Sequence, residues 1–332
     1  MPQLKTPLCD RLGMALPIVQ APIGSAAGPA LVAAVAAAGG LGMLSITWKD
    51  VSRVRQEVRR VRELTDGAFG VNIVLGWEPE ERIEAALAEG VRLFSFFWGD
   101  PAAHIGRIHD GGALVALTVG SAREARQAVE AGVDVVVAQG WESGGHVWGG
   151  VATLPLVPAV VDAVGPTPVV AAGGIADGRG LAAVLCLGAQ AGWLGTRFLA
   201  SQEALVHPQY KRWVVEALET ATVHTELFDG GWPEAPHRVL ENEVFRTWEK
   251  AGRPDSGSRP GEGQPIAKRG DGSLIEKYSV EMPTPDVTGD LGGMALYAGQ
   301  SAGIVREILP AAEIVRRVAA EALEALAAAS RS

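Results

Sequence analysis

The chain has 332 residues, 48% hydrophobic and 20% charged, enough to bury one large α/β core or a domain with an appendage. A net charge of −9 without a Lys/Arg cluster argues against nucleic acid and anionic membrane as partners, so any anionic ligand must be held by local features such as helix N-termini. Cys9 and Cys186 fall outside disulfide, metal or redox spacing, and the longest apolar run, Ala30 to Ile46, is broken by Gly39, Gly40 and Gly42; a cytoplasmic protein with no targeting peptide or membrane span is expected.

From the N-terminus onward, short apolar runs alternate with helical patterns. Gly13, Gly40, Gly67, Gly90, Gly112, Gly132, Gly165 and Gly188 each stand where a helix C-cap calls for a left-handed residue. The runs that follow them are Pro17 to Ala21, Leu41 to Ser45, Phe69 to Val74, Val91 to Phe96, Leu114 to Val119, Val133 to Ala138, Pro168 to Ala171 and Gly192 to Leu194. Helical patterns lie between them, among them Ala30 to Ala37, Ser121 to Ala131 and Asp177 to Leu187, with Ser121 and Glu124 spaced as a capping box. Eight strand and helix units predict a closed (β/α)8 TIM barrel. An open doubly wound sheet fits less well, because no Gly-x-Gly-x-x-Gly opens a helix after the first strand. P-loop and His-Glu-x-x-His motifs are absent.

Beyond Phe198 the pattern changes. Gln202 to Leu218 reads as one more helix, and residues 220–292 are richer in Pro, Gly and charge, with Arg253 to Gly272 lacking any hydrophobic period. The expected organisation is a barrel over residues 1–219, a small lid-like second domain over 220–292 built around Val239 to Trp248, and a C-terminal segment, 293–332, whose alanine-rich helix docks back on the barrel.

In a barrel the chemistry gathers at the C-terminal ends of the strands. The sixth run leads into Gln139-Gly140-Trp141-Glu142-Ser143-Gly144-Gly145-His146, where paired glycines bring the backbone close to a ligand and a histidine follows that can exchange a proton near neutral pH. After the seventh and eighth runs stand Ala172-Gly173-Gly174 and Gly195-Thr196, the paired positions at which barrels hold phosphate on backbone N–H groups. Other strand ends carry Gln20-Ala21-Pro22-Ile23 and Val71-Asn72, neutral amides and small residues. Lys49 is the one lysine near a strand end, which disfavours Schiff-base chemistry, and no carboxylate cluster suggests a metal. Neutral amides around a phosphate-bearing planar ligand suit a flavin, whose ring supplies redox chemistry that these side chains lack.

These motifs, together with Gly70-Val71-Asn72, Leu194-Gly195-Thr196-Arg197-Phe198 and Ala298-Gly299-Gln300, resemble the nitronate monooxygenases over nearly the whole chain. The resemblance implies an FMN-binding barrel. His146 would be its catalytic histidine, and the cofactor residues would be Ala21, Pro22, Ile23, Asn72, Gln139, Gly144, Gly145, Gly173, Gly174, Trp193, Leu194, Gly195, Thr196 and Gln300. It further implies a small nitronate or nitroalkane substrate and O2 as partners, and leaves a homo-oligomer open. Family members often carry Met where this chain has Ile23 and an aromatic, commonly Trp, where it has Tyr297, two departures that bear on substrate choice. The same pattern also resembles barrel-type flavin-dependent enoyl-ACP reductases and NADH:quinone reductases, and a flavin-binding protein without turnover is a third reading. Trp48, Trp77, Trp98, Trp141, Trp148 and Trp193 follow strand ends and are expected to wall the mouth.

Overall fold

The computed structural model describes residues 4–331. The eight apolar runs become the staves of a closed parallel barrel: β1 (Ile18–Gln20), β2 (Leu41–Ser45), β3 (Phe69–Val74), β4 (Leu93–Phe97), β5 (Leu114–Val119), β6 (Val135–Gln139), β8 (Val169–Ala172) and β9 (Ala191–Leu194). A two-residue strand, β7 (Gly145–His146), lies outside the barrel, between β6 and β8 in the chain. Side chains alternate across each stave. On β6, Val135 and Val137 enter the barrel interior with Met43, Leu93 and Val170, while Val136 and Ala138 pack outward on the helical layer. The same alternation turns Gln139 inward at the top of β6 and sends Leu194 outward from β9. Helix α1 (Pro7–Leu12) supplies Leu8 and Cys9 to the interior cluster.

The outer layer consists of α2 (Pro29–Ala37), α3 (Val51–Leu64), α4 (Glu80–Ala88), α5 (Ala102–Asp110), α6 (Ala122–Glu130), α7 (Thr153–Val164) and α8 (Gly178–Cys186), with the short α9 (Thr196–Leu199) following β9. Ser121 caps α6 by accepting from the Glu124 N–H at 3.3 Å. Glu124 does not close the reciprocal half of a capping box. Its carboxylate instead accepts from the Gly120 N–H at 2.8 Å and from the Trp148 indole at 3.0 Å, tying the helix start to the loop after β7. Two of the eight expected C-cap glycines act otherwise. The left-handed residue after α2 is Gly39, and Gly40 and Gly67 serve close packing, since a Cβ on them would lie 2.9 Å from the Ile18 carbonyl and 2.5 Å from the Ala36 carbonyl.

The expected helix from Gln202 to Leu218 is shorter, α10 (Pro208–Glu216). Pro208 starts it because its fixed φ suits a first helical position, and upstream the backbone pairs elsewhere: Gln202 N–H donates to Leu309 and Leu205 N–H to Ala26. Within 220–292, β10 (Thr222–Thr225) and β11 (His237–Leu240) form an antiparallel sheet completed by β7, followed by α11 (Glu243–Lys250). The stretch from Arg253 to Gly272 is not all loop: Pro265–Lys268 is β12, paired with β13 (Leu274–Glu276) and β14 (Thr288–Gly289). The C-terminal helix α12 (Ala311–Ala329) begins later than Gly299, after a 3₁₀ turn at Gln300–Ile304, and packs on α8 so closely that a Cβ on Gly178 would sit 2.2 Å from the Ala322 nitrogen. Among the described residues no helix is long and apolar enough to cross a membrane.

Candidate active site

Gln139 fixes the loop that follows it. Its side-chain N–H donates to the His146 carbonyl at 3.0 Å and its oxygen accepts from the Trp148 N–H at 2.9 Å. The loop is held again from outside the barrel, where β7 pairs antiparallel with β11 and sets His146 opposite His237. Gly144 lets this loop pass against a second one, for a Cβ there would be 2.3 Å from the Gly299 nitrogen. Gly145, with φ +76°, turns the chain into His146 with open space around it.

The His146 imidazole lies in an aromatic enclosure. Trp232 stacks on it with ring centroids 3.9 Å apart and planes 25° from parallel, and Tyr297, His237 and Trp98 follow at 5.5, 5.5 and 6.0 Å. His146 Nε2 is buried and has no hydrogen-bond partner among the described residues. Burial, and secondarily the neighbouring His237, hold its pKa down to about 3, so the ring is neutral at physiological pH. His237 is likewise pushed down by burial, to about 4, and its tautomer is fixed: Nδ1 donates to the Ala235 carbonyl at 2.8 Å while Nε2 accepts from the Phe228 N–H at 3.3 Å.

His146 borders a cavity of about 710 Å³ at the C-terminal end of the barrel, within the range of roughly 300–1,000 Å³ usual for ligand pockets. Of the residues singled out from the sequence, the Ala21 to Ile23 loop, Asn72, Gln139, Gly144 and Gly145 line it on the side of β1 to β6. Gly173, Gly174, Trp193, Gly195 and Thr196 line it below β8 and β9. Leu194 does not, being fully buried in the outer cluster, and Gln300 is exposed with its N–H on the Glu142 carbonyl, leaving the neighbouring Ser301 on the wall. Gln20 is buried among backbone groups of Met43 and Ala21. Lys49 is turned away, paired to Glu57 at 2.5 Å.

Several groups here await an outside partner. The N–H groups of Gly173 and Gly174, both at positive φ, and of Gly195 donate to no acceptor among the described residues. Ser143 Oγ is buried and unpartnered beside Gly173, where a Cβ would come within 2.6 Å of it. Thr196 Oγ1 accepts from the Gly299 N–H at 3.0 Å, which leaves its own proton to donate. On the opposite side, Asn72 gives its amide N–H to the Ser95 carbonyl at 3.1 Å, while its carbonyl oxygen has no donor among the described residues. Such a set of N–H and O–H donors at one end, with a neutral amide acceptor across the cavity, fits a planar ligand carrying a phosphate.

Trp232, Ser143, Met282 and Arg269 also line the cavity and were not singled out. Ser143 sits inside the glycine motif and Trp232 follows a glycine pair, so both had a local signal. Met282 and Arg269 come from the β12 to β14 region and had none. Met282 brings a thioether to the wall beside the Ile23 loop, its methyl 3.3 Å from where a Cβ on Gly24 would be. The Tyr297 hydroxyl is not free for a substrate, since it donates to the Val280 carbonyl at 2.8 Å. Of the tryptophans expected around the mouth, Trp48 and Trp77 line it, and Trp98 and Trp148 back it through edge contacts. Trp193 forms part of the floor, whereas Trp141 lies away from it under the Arg238 guanidinium.

The site has relatives of known structure. FabK from Thermotoga maritima superposes with a TM-score of 0.85 at 33% identity, covering 98% of both chains. A nitroalkane oxidase from Streptomyces ansochromogenes gives 0.78 at 32% identity, covering 98% of this chain and all of that one (100%). In sequence, a 5-hydroxy-7a-methyl-1-oxo-octahydro-indene-4-carboxyl-CoA dehydrogenase from Mycobacterium tuberculosis is 41% identical over 254 residues, 76% of this chain and 70% of that protein. The family model for nitronate monooxygenases matches residues 5–321, and the chain accordingly belongs to the nitronate monooxygenase family of flavin-dependent oxidoreductases.

Proposed function

We propose that the protein binds FMN and oxidises alkyl nitronates with O2, releasing a carbonyl compound and nitrite. The observation that carries the reading is His146, a neutral imidazole whose buried Nε2 lacks a partner at the edge of an indole-walled cavity. FMN, when bound, supplies the redox chemistry, accepting electrons from the substrate and passing them to O2. A single cradle, formed by Gly173, Gly174, Gly195, Thr196 and Ser143, supports a monophosphate tail and hence FMN over FAD. Asn72 would accept from a ring N–H with its free carbonyl oxygen, and the Ala21 to Ile23 loop would lie against the ring.

With a pKa near 3, His146 is a weak base and a good neutral donor. Its role is therefore to donate from Nε2 to a nitro oxygen of the bound anion, and to strengthen that bond as charge redistributes. A nitrite-release assay with pre-formed nitronate, compared with the parent nitroalkane, tests this. Turnover of the nitronate should exceed that of the neutral compound, and the reverse order would restore a general-base role.

A second reading is an NAD(P)H-linked reductase or dehydrogenase acting on a thioester or quinone. It is favoured by the 41% identity to a protein named as a carboxyl-CoA dehydrogenase and by the likeness to FabK. Anaerobic mixing separates the two, because only the second requires rapid bleaching of the flavin by NADH or NADPH.

A further inference from the structure

We propose that Trp232 is a hinged gate over His146 and the residue that sets which substrates reach it. The inference rests on the reading that His146 touches substrate. His146 Nε2 has neither a partner nor exposure, and the Trp232 indole covers a face of its ring at 3.9 Å. Because that nitrogen is buried, a substrate atom reaches it only after a neighbouring group moves, and of its ring neighbours the Trp232 indole lies nearest.

The local chain is built for such a movement. Its base is anchored: Asp229 pairs with Arg259 at 2.8 Å, Gly230 N–H donates to the Tyr278 carbonyl at 3.0 Å, and the Gly230 carbonyl accepts from Val280 at 3.0 Å. Beyond the anchor the ties thin until the Ala235 carbonyl, which accepts from His237 Nδ1 at 2.8 Å. From Gly231 to Ala235 only the Trp232 N–H donates a backbone hydrogen bond, to the Asp229 carbonyl at 2.9 Å, and Gly231, Pro233 and Glu234 are exposed. Gly231, at φ +107°, supplies the pivot, a conformation that glycine leaves and re-enters without steric cost. Few backbone bonds mark a segment whose chain can open locally while the fold persists.

What holds the gate shut is side-chain packing, in a cluster that includes Val74, Ala235, Phe97 and Val280 as well as the indoles. Trp232 meets Trp77, Trp98 and Trp48 edge-on at 5.1, 5.2 and 6.1 Å, contacts that are individually weak and readily re-formed. Trp98 itself adopts φ +62°, uncommon for a bulky residue, and this backbone conformation aims its indole at Trp232 and Trp148. A small planar substrate needs a brief opening, whereas a branched or bulky one must hold the indole out.

The experiment uses FMN-loaded protein and diethyl pyrocarbonate, with carbethoxylation of His146 followed by peptide mass spectrometry in wild type, Trp232→Ala and Trp232→Phe. A closed form that opens for roughly 0.1–10% of the time should yield a His146 rate about 10- to 1,000-fold higher in Trp232→Ala, with Trp232→Phe between the two. The ratio of kcat/KM for a branched nitronate over nitronates of one or two carbons should rise in the same order. Unchanged His146 reactivity in both variants would overturn the gate, and Trp232→Phe, which keeps a ring in the socket, guards against a collapsed fold. Faster modification with no nitrite from any form would retain the gate and refute the nitronate reading; nitrite with unchanged modification would do the opposite.

Discussion

Adjacent glycines in the histidine loop should fail in different ways when a methyl group is added. At Gly144 the new Cβ would lie 2.3 Å from the Gly299 nitrogen and 2.5 Å from the Ala298 carbonyl carbon, both backbone atoms that no rotamer change can move. The two loops must part by about 1 Å, at an overpacking cost of roughly 1–3 kcal/mol. The same displacement strains the Gly299 N–H bond to Thr196 Oγ1, worth about 1 kcal/mol more. Gly144→Ala should therefore lose about 2–4 kcal/mol of stability, a fall in Tm of roughly 4–12 °C at about 2–3 °C per kcal/mol. Because Thr196 belongs to the proposed phosphate cradle, its FMN Kd should weaken about 10- to 100-fold, each tenfold step being about 1.4 kcal/mol. Gly145 has no heavy atom within 4 Å of its would-be Cβ, and only its φ of +76° opposes the change. Gly145→Ala should cost about 1–2 kcal/mol and leave FMN affinity nearly intact. Fluorescence titration with FMN and thermal melts of the two variants decide the matter. Equal FMN affinities, or a weaker one in Gly145→Ala, would refute the reasoning.

Further outcomes follow from the same geometry. His146 and His237 have folded pKa values near 3 and 4, below the unfolded value near 6.5, so the unfolded chain binds more protons as pH falls through that window. Their contribution is complete above about pH 6.5 and is lost on acidification toward pH 4, by up to about 1.4 kcal/mol per pH unit for each ring; denaturant midpoints that do not fall between pH 7 and 5 would contradict this. His146→Ala should reduce nitronate turnover about 10²- to 10³-fold, the usual effect of deleting one donor to a developing charge, as measured by initial-rate nitrite release. Wild-type kcat should show no limb assignable to His146 between pH 5 and 8, and a histidine limb near pH 6.5 would mean that the ring is solvated in the working enzyme. Glu124→Ala removes the acceptor for the Trp148 indole and the Gly120 N–H, so it should destabilise by about 1–3 kcal/mol and raise Trp148 quenching by acrylamide; unchanged quenching would show that Glu124 does not hold the loop.

The barrel was legible because each stave is a short run rich in Val, Ile, Leu and Ala, closed off by glycine, and the order of such runs leaves few topologies. His146 and its glycine pair were legible because they follow a strand within one stretch of chain. Trp193 and Leu194 are adjacent and must face opposite ways, so only one of them could line the cavity. What the sequence did not disclose depends on distant segments meeting. Nothing local to Trp232 indicates that it stacks on a histidine 86 residues earlier in the chain, and that contact exists because β11 pairs with β7. The helix expected from Gln202 fails for a similar reason, since Gln202 and Leu205 give their N–H groups to Leu309 and Ala26. Burial likewise decides the chemistry of His146. A sequence shows an imidazole of ordinary pKa, and only the surrounding rings turn it from a base into a neutral donor.

The deciding measurement is an anaerobic titration of the purified, FMN-reconstituted protein, watched at the flavin absorption bands. Ethylnitronate should bleach the bound flavin, NADH should leave it oxidised, and admitting O2 should restore the colour with release of nitrite. A protein that takes up no FMN, or one bleached by NADH and not by nitronate, would contradict the proposal that this cavity, with His146 at its edge, is a nitronate-oxidising site.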